Sequence, residues 1–165
     1  MTRLWLVLIC LALVVLALAG MWLGWRNRER RQADLPELPA PPADLGARRL
    51  DALDGEYVGT AYATSWQDRV VHGGLGMRSG ASIALHEAGV LLERDGAAPL
   101  FLPAAAITGA RLAPGLANKV VGIGGLLVIS WRLGDAQLDT GFRADDKSSY
   151  PQWVRTIETT KGART

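Results

Sequence analysis

The chain has 165 residues, with 18 Lys+Arg against 16 Asp+Glu, 49% hydrophobic residues, 19 Gly, 8 Pro and one Cys, a length that accommodates one modest domain with extras. Residues 1–50 hold seven Lys/Arg against four Asp/Glu, and residues 51–165 hold eleven against twelve, so the basic excess lies in the N-terminal third and a broadly basic nucleic-acid-binding domain is excluded. The lone Cys10 excludes an intramolecular disulfide and a cysteine-based zinc site.

After a short flank (1–3), Leu4 to Trp25 runs for 22 residues without a charge, and only Gly20 and Gly24 fall outside the hydrophobic set. As a helix this stretch reaches about 33 Å, enough to cross a hydrocarbon core of about 30 Å. It therefore reads as a transmembrane helix (4–25), with Trp5, Trp22 and Trp25 at the membrane interfaces. Arg26, Arg28, Arg30 and Arg31 follow it, whereas only Arg3 and the terminal amine precede it. That imbalance predicts a single-pass protein of the plasma membrane with its N-terminus outside and the remainder in the cytoplasm. A signal peptide cleaved after Ala19 is the competing reading, since Ala17-Leu18-Ala19 has the small-x-small form. The apolar run continues beyond that point into the arginine cluster, which favours the anchor. Gly20 and Gly24 form a G-x-x-x-G pair that would let two helices pack as a weak dimer.

Residues 26–50 read as a basic juxtamembrane segment and linker. Pro36, Pro39, Pro41 and Pro42 lie between Gln32 and Gly46, the composition of a stiff spacer that, fully extended, would hold the next domain up to about 45 Å from the bilayer. Residues 51–162 form that domain and 163–165 a tail. Short apolar runs divided by turn residues predict seven antiparallel strands: Glu56 to Thr64, Ala81 to His86, Val90 to Arg94, Pro99 to Leu102, Ile107 to Leu112, Leu126 to Leu133 and Ala136 to Arg143. Gly134-Asp135 is a two-residue hairpin loop. Leu127, Ile129, Trp131 and Leu133 share one face, and Leu138 and Phe142 alternate with Gln137, Asp139 and Arg143, which predicts one buried and one wet face. After Asp146 the period changes. Tyr150, Trp153, Val154 and Ile157 form the stripe of an amphipathic helix, with Ser149 and Gln152 placed as a capping box. The whole is a mainly β domain, a seven-stranded antiparallel barrel capped by a C-terminal helix.

The stretches Gly59-Thr60, Trp66-Gln67-Asp68-Arg69, Gly74-Leu75-Gly76-Met77-Arg78-Ser79, Lys119-Val120-Val121-Gly122 and Leu138-Asp139-Thr140-Gly141-Phe142-Arg143 resemble a family of small actinobacterial membrane proteins. Its members have one N-terminal helix and a cytoplasmic bacterial PH-like domain. The resemblance covers most of residues 51–145; it implies the barrel fold and no activity.

Chemistry is hard to seat in these residues. The two histidines, His72 and His86, have neither metal-binding nor nucleophile-base spacing, so no enzyme, metal or cofactor is expected. The glycine-rich stretches around Gly76 and Gly124 lack the P-loop sequence. Between Glu56 and His86 the cations are Arg69 and Arg78 alone, too few for the convergent charge that a polyphosphate headgroup requires. The connection from Ser65 to Gly80 is long for a compact domain and holds Trp66, Asp68, Arg69 and Arg78, a mixture enriched at binding hot spots. These four are the candidate partner-binding residues, and the alternative is that the loop is packed structure. The expected partners are the lipid bilayer and an unidentified cytoplasmic or membrane protein, with no nucleic acid. A membrane-anchored interaction module is the first reading. A structural or regulatory subunit of a membrane complex, assembled through the helix, is the second.

Overall fold

A computed structural model of the chain describes residues 2–33, 35–116, 119–120 and 125–162. The chain divides into two units, Met1–Asp34 and Leu35–Thr165.

In the first unit Thr2–Ala33 forms one α-helix, α1. Every side chain from Leu8 to Trp22 is exposed, and Trp5 as well. Among the described residues no helix is long and apolar enough to cross a membrane, so the expected crossing finds no support there. The side chains of Trp25, Arg26, Arg28, Arg30 and Arg31 lie outside the described residues.

The second unit is antiparallel. Its strands are β1 (Arg48–Tyr62), β2 (Ser65–Arg69), β3 (Ser79–His86), β4 (Gly89–Arg94), β5 (Leu100–Pro103), β6 (Ile107–Ala113), β7 (Gly115–Leu116), β8 (Lys119–Val120), β9 (Leu126–Leu133) and β10 (Ala136–Ala144). The helix α2 (Tyr150–Gly162) follows. Seven strands run in the order β5-β4-β3-β1-β10-β9-β6, and β2 joins at β1 to make an eight-stranded sheet. The predicted count of seven is thus corrected, since β2 is an additional strand of the main sheet and β7 and β8 pair separately. Long β1 makes this possible: it pairs with β3 from Arg48 to Tyr57, then with β2 at Ala61 and Tyr62.

Inside the curved sheet lies the main core, which includes Tyr57, Ile83, Leu92, Ile129, Trp131, Leu138 and Phe142. The α2 stripe completes it with Tyr150, Trp153 and Ile157. Burial of this stripe, more than intrinsic propensity, is what holds a 13-residue helix in place. At its start, Asp146 accepts bonds from both the N–H and the hydroxyl of Ser148, which hold its carboxyl below the usual range. α2 runs beside β6, where the Ala110 N–H donates to Glu158 Oε1 at 2.9 Å.

The opposite face of the sheet is not the wet face that alternation predicts. Val58, Ala61, Ala113, Leu116, Leu126 and Val128 form a second cluster there. Leu116 of β7 packs so close to Gly141 that a Cβ on that glycine would lie 2.9 Å from Leu116 Cδ2. A small residue is required at this close approach.

The Pro-rich stretch is corrected from spacer to part of the domain. Leu35 is buried in the core and Leu38 packs against it. A Cβ on Gly73 would meet Leu38, and one on Gly134 would meet Pro36. Further on, the Leu45 and Ala47 carbonyls accept bonds from Ala88 and Glu87. The segment is a strap fastened at the ends of the barrel.

Candidate functional site

The stretch from Ser65 to Gly80 is built from β2, a single helical turn at His72–Gly74 and the return into β3. Gly73 and Gly74 both take positive φ there, a conformation that side chains disfavour. Val70 and Leu75 are fully buried. Backbone bonds from Val70 N to Thr60 O (2.9 Å) and from Thr60 N to Leu75 O (3.2 Å) lash the turn to β1. Two arginines then grip its carbonyls. Arg69 Nη1 donates to Gly76 O at 2.9 Å, and buried Arg94 donates to Gly74 O at 2.9 Å while its other nitrogens hold Ala98 O. The Arg94 guanidinium also lies 5.1 Å from the centre of the Tyr57 ring, a favourable cation–π arrangement.

Beneath the turn runs a buried hydrogen-bond chain. Trp131 Nε1 lies 2.9 Å from Thr140 Oγ1, Thr140 Oγ1 2.9 Å from Thr60 Oγ1, Thr60 Oγ1 2.8 Å from Tyr57 OH, and Tyr57 OH 2.7 Å from Leu75 O. Its direction is fixed at both ends. The indole can only donate and the carbonyl can only accept, so each hydroxyl accepts from the one before it and donates to the next. Bonds arranged in this way polarise one another. Burial is the main cause that pushes the Tyr57 phenol up to about 12, against the lowering effects of Thr60, Arg94 and Arg69.

A raised folded-state pKa means that the native protein holds the phenol proton more tightly than the unfolded chain. The associated stability is complete below pH 10 and is lost as pH rises towards about 12. We expect denaturation midpoints to fall across that window, by an amount corresponding to about 2–3 kcal/mol. In Tyr57→Phe this part of the slope is expected to vanish. Equal slopes in the two proteins would remove Tyr57 as the cause.

The four predicted site residues therefore diverge. Arg69 turns onto the Gly76 carbonyl, and Arg78 is exposed and ion-paired with Glu56. Asp68 is half-buried on β2, and the side chain of Trp66, on the same strand, lies outside the described residues. Arg94, absent from the predicted set, holds the turn as well, through the Gly74 carbonyl. Its position at the end of an ordinary apolar strand carries no sequence signal.

A cleft opens beside β2 on the outer face of the sheet, with a volume of about 440 Å³. Its lining includes Thr64, Ser65, Arg111, Pro114, Gly115 and Asp139. Asp139 was expected on a wet face. It is buried, with its side chain 5% exposed, because β7 and the β1–β2 turn rise on either side of it. Ser130 Oγ donates to Asp139 Oδ1 at 2.6 Å, and Arg111 pairs with Oδ2. The Arg111 side chain remains half exposed. The acid thus fixes one end of a guanidinium that lines the cleft. Among the described residues no group of three or more His, Cys, Asp or Glu is placed to hold a metal ion.

A bacterial PH domain-like family model matches residues 35–158, from the docked Leu35 to the last turns of α2. The chain belongs to this family. The match begins where the strap enters the core, so the PH-like domain includes the Pro-rich segment that composition alone set apart. No curated protein matches the chain.

Proposed function

We propose that the chain is a membrane-anchored, non-catalytic interaction module whose PH-like domain holds a protein or peptide partner at the cytoplasmic face of the plasma membrane. The observation that carries this reading is a PH-like domain joined to a helix whose described side chains are apolar and exposed on all sides from Leu8 to Trp22. A helix that is hydrophobic all round needs an apolar surrounding, and the uncharged run in the sequence is long enough to find it in a bilayer. The arginines after Trp25 favour a cytoplasmic domain.

The partner face is placed on β2, with Trp66 and Asp68, and on the adjoining Arg111 cleft, with Arg69 and Arg78 steadying the turn behind it. A photo-reactive residue at Ser65, in the intact membrane-bound chain, is expected to cross-link a discrete partner, and Arg111→Ala is expected to abolish that product. The same products from a probe at exposed Glu93 on β4 would remove the site assignment. A second reading is a structural or regulatory subunit assembled through α1, favoured by the open space around Gly20 one helical turn before Gly24. Exchange of α1 for an unrelated anchor separates the two: a retained cross-link supports the domain, and its loss supports the helix.

A further inference from the structure

Beside Arg48 to Leu53, β1 carries β3 on one edge and, among the described residues, no strand on the other. β10 joins that second edge only from Gly55, opposite Ala144. The Asp145 N–H then donates to the Asp54 carbonyl at 2.9 Å, and the chain leaves the sheet for α2. A cleft of about 300 Å³ opens along the unpaired stretch. Its wall includes Arg48, Arg49, Leu50 and Asp51 from β1 and Gln152 and Trp153 from α2. Trp153 is buried and Leu50 packs against the core, so the cleft has a fixed base.

Successive side chains of a regular strand leave by opposite faces. Here four successive residues border one cleft, and the pairing gives the reason: the register with β3 shifts between Arg48 and Leu50 and again between Leu50 and Leu53. Such bulges bend a strand and re-aim its side chains. They bring two guanidinium groups to the same opening. Both arginines are exposed. Arg49 Nη1 donates to Thr160 Oγ1 at 3.1 Å, a neutral partner on α2 that positions the guanidinium without compensating its charge. Among the described residues neither arginine is ion-paired, and Asp51 is the one acid on the wall.

We infer that this cleft takes a short, extended, acidic segment of a partner protein, which adds to the open edge of β1 and sets carboxylates against Arg48 and Arg49. Backbone groups along an unpaired edge match an extended peptide, and guanidinium forks match carboxylates. The register shifts deny the segment a long flat template, so it spans few residues and is held by charge as well as by the backbone. The site lies within the PH-like domain, shares no lining residue with the Arg111 cleft and does not depend on the membrane anchor.

The test uses the full chain in a neutral detergent and an end-blocked, fluorescent hexapeptide, Glu-Thr-Glu-Thr-Glu-Thr. Anisotropy reads binding, and amide hydrogen exchange locates it. The expected result is saturable binding with slowed exchange at residues 48–53. Arg48→Gln with Arg49→Gln is expected to weaken it at least about tenfold, whereas Arg132→Gln with Arg143→Gln, which removes the same charge from other exposed positions, leaves it unchanged. No binding, or equal losses in the two double variants, overturns the inference. So does equal binding of the peptide with Lys in place of Glu. A peptide methylated on alternate amide nitrogens that binds as tightly as its parent rules out addition to the edge and overturns the inference. Slowed exchange at residues 100–103 on the β5 edge, in place of 48–53, overturns the site. Exchange at 48–53 that is already slow without peptide and quickens on dilution assigns the edge to a second copy of the chain, and overturns the inference as well.

Discussion

Trp153→Ala is expected to destabilise the PH-like domain by about 3–5 kcal/mol, the range for truncating a large aromatic in a core. Trp153 is 1% exposed and lies among the largest buried side chains of the molecule. It is also the middle member of the α2 stripe, between Tyr150 and Ile157, so its loss affects both the core and the attachment of the helix. Tyr150 cannot compensate, because its hydroxyl is already engaged with the Ala144 N–H at 2.7 Å and the Phe142 carbonyl. Urea denaturation of the intact chain in detergent measures the effect. A midpoint shift corresponding to less than about 1 kcal/mol would mean that the site collapses without a cavity and that α2 is held by something other than its apolar stripe.

The second large effect is expected at Gly89. Its φ of 152° lies in a region that side chains rarely adopt, and an added Cβ would stand 2.1 Å from the Leu102 carbonyl oxygen. Both partners are backbone, paired where β4 begins beside β5, so no flexible side chain can give way. Backbone strain of about 1–3 kcal/mol and overpacking of about 1–3 kcal/mol together place Gly89→Ala at about 2–6 kcal/mol. Gly96→Ala separates the two contributions. Gly96 has φ 69° with nothing within 4 Å of the added carbon, so only the left-handed conformation is penalised, by about 1–2 kcal/mol. Equal losses at the two glycines, measured by denaturant midpoint, would show that the Leu102 contact relaxes freely.

Regular period was the part of this fold that sequence could express. The strands at β9 and β10 and the α2 stripe follow from strict alternation and from the i, i+3, i+4, i+7 spacing, and the structure places them within a residue or two of expectation. The first half of β1 was not legible because its pattern is broken. Leu50 and Leu53 are three apart, and the pairing with β3 shifts register between them, so both pack at the core without obeying a period of two. β2 was hidden by polarity: Ser65-Trp66-Gln67-Asp68-Arg69 has no apolar alternation to mark it. The second cluster was hidden for another reason. Val58, Val128 and Leu126 look like ordinary outward positions until β7 brings Leu116 over them.

The candidate site shows the same division. Composition marked the Ser65–Gly80 stretch as unusual, yet the roles within it depend on partners distant in sequence. Arg69 is an inward staple because Gly76 O lies under it, and Asp139 becomes the buried counter-ion of Arg111 because Ser130 and β7 enclose it. Both residue types occur far more often as solvated surface, so neither burial could be read from a single chain.

β6 stands at the border of the sheet, where a bare strand invites another chain to pair with it. The Glu158 carboxylate occupies the Ala110 N–H at that border, so the domain's own helix supplies the acceptor that an intruding strand would otherwise bring. Molecules crowded side by side would meet a charged side chain at this position in place of open backbone, and self-association by strand addition is disfavoured where local concentration would otherwise promote it.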